Sequence, residues 1–149
     1  VLMVFAYLFL SAEANAQKRL ELLAAIGPWP VASNPIIYNG RLWFSASVKG
    51  RNHNSADLWS LDPKSGDLRY ERHLFSQDAG TPVIFQGLLY WPHEDSRLSL
   101  GYGAISVTDG DTWSELEIPT AKTFHLHHLV DWGGTLVAVT SAWQAGLQT

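Results

Sequence analysis

One period runs through this chain, and no other feature of the sequence limits its possible folds so strongly. Pro35-IIYNGRLWF-Ser45, Pro82-VIFQGLLYW-Pro92 and Leu129-VDWGGTLVA-Val139 align without gaps. Their glycines, Gly40, Gly87 and Gly134, follow one another at intervals of 47 residues. Two residues before each glycine stands an aromatic (Tyr38, Phe85, Trp132), and two after it a leucine (Leu42, Leu89, Leu136). Asp62 with Asp109, and Leu58 with Ile105, keep the same interval. Five columns in one register mark an internal repeat, which must be read before any local structure.

Each unit reads as four short strands. In the first, Ile36–Tyr38 passes through Asn39-Gly40 into Leu42–Val48, and Asn-Gly between apolar runs is a hairpin signal. Asp57–Leu61 alternates as a strand, Asp62-Pro63-Lys64-Ser65-Gly66 turns, and Leu68–Phe75 returns. Proline presets φ in such a turn and glycine accepts a positive φ. The second unit repeats the plan with Pro82–Phe85, Leu88–Trp91, Ala104–Val107 and Trp113–Ile118. The third offers Phe124–Trp132, Thr135–Thr140 and Trp143–Thr149. Four strands in a repeat of roughly 45 residues is the period of a propeller blade. The expected fold is therefore all-β: a β-propeller fragment of about three four-stranded blades, at 35–75, 82–118 and an incomplete 124–149. A β-sandwich with accidental internal similarity is the competing arrangement. Arg19–Ile26 fits a helix or a strand, and Gly27-Pro28 and Pro30, which end it after a strand-like length, favour the strand.

The N-terminus predicts a compartment. Val1–Leu10 is wholly apolar, and Ala14 and Ala16 form an A-x-A site with cleavage expected before Gln17. Residues 1–16 thus read as a signal peptide, truncated at its N-terminal side because no basic segment precedes the apolar run. The run is too short for a membrane span, which needs about twenty residues; a buried helix is the competing reading. As a signal it should lie as a detached helix or without order, outside the sheets. Residues 17–149 would then be a partial propeller, secreted or periplasmic, with no membrane span in the mature chain. A formal charge of −4 and no cluster of Lys or Arg argue against a nucleic-acid partner. The absence of Cys excludes disulfides and thiolate metal sites.

At Ser106-VTDGDT-Trp113 the chain resembles the Asp-box hairpin of sialidase-like bacterial propellers, whose pattern runs Ser-x-Asp-x-Gly-x-Thr-Trp. Ser106, Gly110, Thr112 and Trp113 match in register, while Thr108 occupies the box aspartate position and Asp109 follows one residue late. The resemblance implies a structural turn on the blade rim: Asp109 capping with its carboxylate, Gly110 at positive φ, and Trp113 packed between strands. The Asp62–Gly66 turn is similar to those of quinone-type and kelch-like propellers, which again implies architecture alone. No arginine triad, tyrosine nucleophile and glutamate partner of a sialidase can be assigned.

Strand direction gathers the histidines. His53 falls in the second loop of the first blade, His93 and Glu94 in the equivalent loop of the second, and His125, His127 and His128 at the start of the third inner strand. These six residues are the expected ligand-binding set, on the face opposite the Asn39-Gly40 and Asp62–Gly66 turns. Strand alternation would put His125 and His127 on one side and His128 on the other. Two histidines so placed could ligate one ion if His93 or Glu94 supplied a third donor. Hydrogen bonding to backbone and water is the plainer role, so no metal and no cofactor is assigned, and no catalytic residue is identified. Two functions fit: a non-catalytic exported propeller binding a protein or glycan partner through its loop face, or a secreted carbohydrate-active hydrolase or lyase of sialidase-like type with part of its active site in missing blades.

Overall fold

The computed structural model describes residues 5–9, 20–25, 33–47, 56–74, 80–95, 102–117 and 124–142. Twelve strands and no helix occur among them: β1 (Phe5–Phe9), β2 (Leu20–Ala25), β3 (Ile36–Tyr38), β4 (Arg41–Ser47), β5 (Ala56–Leu61), β6 (Leu68–Leu74), β7 (Val83–Phe85), β8 (Leu88–Asp95), β9 (Tyr102–Thr108), β10 (Trp113–Glu117), β11 (Phe124–Trp132) and β12 (Thr135–Ala142). The chain is all-β. β3-β4-β5-β6 and β7-β8-β9-β10 are two antiparallel four-stranded sheets in sequence order, and β11-β12 and β1-β2 are antiparallel pairs. No helix among the described residues is long and apolar enough to cross a membrane.

The hairpin turns show why the repeat keeps its glycines. Asn39-Gly40, Gln86-Gly87 and Gly133-Gly134 all have positive φ at both central residues, from 48° to 83°. Tyr38 pairs with Arg41, Phe85 with Leu88 and Trp132 with Thr135 across them. Two-residue loops with both φ positive are the type I′ turns whose twist suits paired strands. Gln86 adopts this conformation without the licence of Gly or Asn, which marks the turn as imposed by the surrounding pairing.

The sheets stack through alternate faces. Tyr38, Trp43, Ala56, Leu58 and Leu74 of the first sheet enclose one core with Leu89 and Trp91 of the second, and Trp113 packs against its rim. From its opposite face the second sheet contributes Ile105 and Val107 to another core with Leu126 and Leu129 of β11. β8 shows the division: Leu89 and Trp91 belong to the first core, while Leu88 and Tyr90 pack on the second. This period-two split is what a strand buried on both faces requires. Trp43 and Trp113 meet edge-on with ring centroids 6.1 Å apart. Arg72 spans the same seam, pairing with Glu115 at 2.6 Å and lying over the Trp113 ring. The Tyr38 hydroxyl donates to the Gly87 carbonyl at 2.8 Å, and burial pushes its pKa up, so it remains a donor at neutral pH.

Several expectations need correction. β8 runs on to Asp95, so His93, Glu94 and Asp95 lie on a strand and not in a loop. Continued pairing with β9 down to Asp95–Tyr102 satisfies backbone groups that a loop would leave to water. Phe5–Phe9 is a strand and not a helix: it pairs with Leu20–Ala25 in a two-stranded sheet of its own. Cleavage before Gln17 would remove β1 and leave β2 without that partner. Leu20–Ala25 is the strand expected from the proline-bounded run, although its partner is β1. The repeat predicts Leu42, Leu89 and Leu136 buried at matching positions, but only Leu89 is fully buried and Leu42 and Leu136 are half-buried. Leu89 faces the first sheet across the seam, whereas Leu42 lies on the face of the first sheet turned away from the second. Trp143–Thr149 lies outside the described residues.

Candidate functional site

Strand direction divides the sheets into two ends. β3, β5, β7, β9 and β11 run toward the end that carries the I′ turns and the Asp62 and Asp109 turns. The other end carries the starts of the inner strands β3, β7 and β11 and the far ends of β4, β6 and β8.

Both aspartate turns are built alike. Asp62 Oδ1 accepts from the Lys64 and Ser65 amides, and Ser65 Oγ donates to Oδ2. Asp109 Oδ1 accepts from the Asp111 and Thr112 amides at 2.9 and 2.8 Å, with the Thr112 hydroxyl shared between its oxygens at 3.2 Å. The one-residue displacement of the aspartate therefore leaves a capping carboxylate in place, in the same register as Asp62. Gly110 has φ 107°, and Trp113 packs on Trp43. Backbone hydrogen bonds to the charged form, those of Lys64 and Thr112 foremost, hold both carboxyls below the usual range. Such caps are in force above the ordinary carboxylate pKa and fail as pH falls through the lowered one.

At the opposite end, three positions one repeat apart form a polar row. Asn34 Nδ2 donates to Thr81 Oγ1 at 3.5 Å, and Thr81 Oγ1 meets His128 Nδ1 at 3.1 Å. Thr81 and His128 also form a parallel bridge, so the beginning of the second unit lies beside the inner strand of the third. Asn34 and His128 are exposed and Thr81 half-buried. A hydroxyl has one proton. Its two lone pairs let Thr81 Oγ1 accept from Asn34 while either donating to or accepting from His128 Nδ1. The row presents amide, hydroxyl and imidazole groups.

The other expected site residues separate. His93 is 1% exposed, and its Nε2 lies 2.8 Å from Ser106 Oγ. That spacing suits a base and a nucleophile, but Ser106 is fully buried, so the pair ties β8 to β9 out of reach of a ligand. Its position on the strand face packed against the first sheet explains why it leaves the loop set. Glu94 pairs with Gly103 through its backbone. His125 pairs with Ser141, and the register shifts between Leu126 and His128, placing His127 at a bulge. Simple alternation along Phe124-HLHH-Leu129 is thereby broken: Leu126 and Leu129 are both buried, and His128 turns outward. The side chains of Glu94, His125 and His127, and all of His53, lie outside the described residues. His73, on the outer strand β6, bonds Asp57 at 2.7 Å. No group of three or more His, Asp or Glu able to hold a metal occurs among the described residues.

Sequence reasoning named His128 but missed Asn34 and Thr81. The signal was available, since 34, 81 and 128 keep the repeat interval; residue type drew attention to histidine alone. No family model matches the chain, and comparisons with curated proteins and with solved structures return no match.

Proposed function

We propose that the chain is part of an exported β-propeller whose loop end binds a glycan or protein partner without catalysis. Support for the propeller comes from two successive four-stranded sheets in one 47-residue register, stacked face to face, with a third unit begun by β11 and β12. Support for export comes from the apolar run Val1–Leu10 and the Ala14-Asn15-Ala16 site.

The observation that carries the binding reading is the row Asn34–Thr81–His128. Its members stand just before β3, just before β7 and on β11, exposed or half-buried and already hydrogen-bonded into position. Polar groups held on rigid strands at a loop-bearing end are suited to recognition. Amide, hydroxyl and imidazole groups in one row suit the hydroxyl and amide groups of a glycan or a peptide. Glu94, near the far end of β8, and His125 and His127, near the start of β11, extend the proposed site; His53, expected there from the sequence, lies outside the described residues. His93 belongs to its support.

A glycan array followed by calorimetry on wild-type protein and on His128→Ala and Asn34→Ala tests this reading. A bound oligosaccharide should lose affinity about tenfold with either substitution, corresponding to one hydrogen bond of about 1–1.5 kcal/mol. The ligand should be recovered intact. Equal affinity of both variants would remove the row from the site, and released reducing ends would favour the carbohydrate-active enzyme.

A further inference from the structure

The seam between the two four-stranded sheets satisfies its polar groups at one level and leaves them unmatched at another. Toward the turn end, Trp43 Nε1 donates to the Tyr38 carbonyl at 3.1 Å, and the Tyr38 hydroxyl reaches the Gly87 carbonyl. One step toward the loop end the pattern changes. Ser45 follows Trp43 by two residues on β4 and shares its face. Across the seam, Trp91 stands beside Ser106 in the β8–β9 pairing, and His93 follows on the same face. Ser45, Trp91 and Ser106 are 0% exposed and His93 1%. Ser45 Oγ and Trp91 Nε1 have no hydrogen-bond partner among the described residues.

Two unmatched polar atoms on facing sheets of one seam call for a common explanation. Each buried donor without an acceptor forfeits its hydration, and native proteins rarely leave one so. We infer that the seam binds an internal water between Trp91 Nε1 and Ser45 Oγ, with Ser106 Oγ as its third neighbour. The chemistry selects water over an ion. An indole N–H only donates, which rejects a cation. An anion would lack a countercharge, because Arg72 is taken by Glu115 and Arg41, on the same face of the first sheet, by Asp67. A water accepts from Trp91, exchanges a proton bond with Ser45, and finds the two to four polar partners that buried waters require. It would extend the His93–Ser106 bond into a polar bridge joining the two sheets just beneath the loop end. This site depends on the packing of the sheets and not on the binding reading, so either can fail alone.

A high-resolution crystal structure of the whole chain, with thermal unfolding of Ser45→Ala, provides the test. The structure should contain a water peak about 2.7–3.2 Å from both atoms. Ser45→Ala should lower Tm, because it strips the water of a partner. A dry seam gives the opposite sign, since deleting an unsatisfied hydroxyl stabilises. Absence of the peak, a peak reaching only one of the two atoms, or an unchanged or raised Tm in Ser45→Ala would each overturn the inference. The crystallographic arm reads wild-type protein and stands even if the variant folds poorly.

Discussion

Replacing Trp43 by alanine is expected to cost about 3–5 kcal/mol, a large share of the about 5–15 kcal/mol that holds a domain folded. The indole is 1% exposed and belongs to the core between the two sheets. It meets Tyr38 and Trp113 edge-on, each at 6.1 Å between ring centroids. Truncation would remove that area from the seam and leave a cavity bounded by strands that pair on both sides and cannot collapse freely. It would also leave the Tyr38 carbonyl without the indole donor. Trp43→Phe separates these effects: keeping most of the ring, it should lose closer to 1–2 kcal/mol, the hydrogen bond and part of the packing. Urea unfolding followed by circular dichroism reads both. A loss below about 1 kcal/mol for Trp43→Ala would mean that the sheets do not meet through this face.

The second large effect belongs to Gly110, in the turn of the partial Asp box. Its φ of 107° lies in territory that L-residues seldom occupy, and a Cβ there would come within 2.9 Å of Asn39 Nδ2. That amide donates to the Asp109 carbonyl, linking the turn of the second sheet to the first hairpin. Gly110→Ala would therefore strain the backbone and push away the group that joins the two units, a cost at the upper end of about 1–3 kcal/mol. Gly40 gives the comparison. It also has positive φ, at 74°, but nothing lies within 4 Å of its added Cβ, so Gly40→Ala should fall at the lower end of that range. Stability measured side by side should rank Gly110→Ala as the worse. Equal losses would show that the contact with Asn39 contributes nothing.

The fold was legible where the repeat spoke. Asn39-Gly40 announced its hairpin, and the 47-residue register carried the same turn to Gln86-Gly87, where the local residues alone would not require it. Ile36–Tyr38 and Phe124–Trp132 match their strands end to end. Legibility failed where tertiary pairing overrode local polarity. His93-Glu94-Asp95 looks like a loop because it is polar, yet β9 extends far enough to pair with it, and the imidazole finds Ser106 inside the seam. Phe5–Phe9, expected as a helix or without order, is a strand paired with Leu20–Ala25. At Phe124-HLHH-Leu129 a bulge, invisible to a period of two, decides that His128 faces outward. The candidate row combined both cases: its histidine was visible by residue type, while Asn34 and Thr81 were visible only by register.

Disulfide trapping across the inner strands tests most directly whether successive units lie side by side. The chain has no cysteine of its own, so Thr81→Cys with His128→Cys introduces a single possible bond. Bridge partners on adjacent strands stand about 5 Å apart, within the Cα range of about 4.4–6.8 Å that a disulfide accepts. Thr81→Cys with Trp132→Cys is the control, because Trp132 lies four residues farther along β11, about 13 Å toward the other end. Mild oxidation of the folded protein should close the first pair nearly completely and leave the second reduced. A first pair that stays reduced and fully labelled by a thiol reagent, or two pairs that oxidise alike, would contradict the stacked-repeat account.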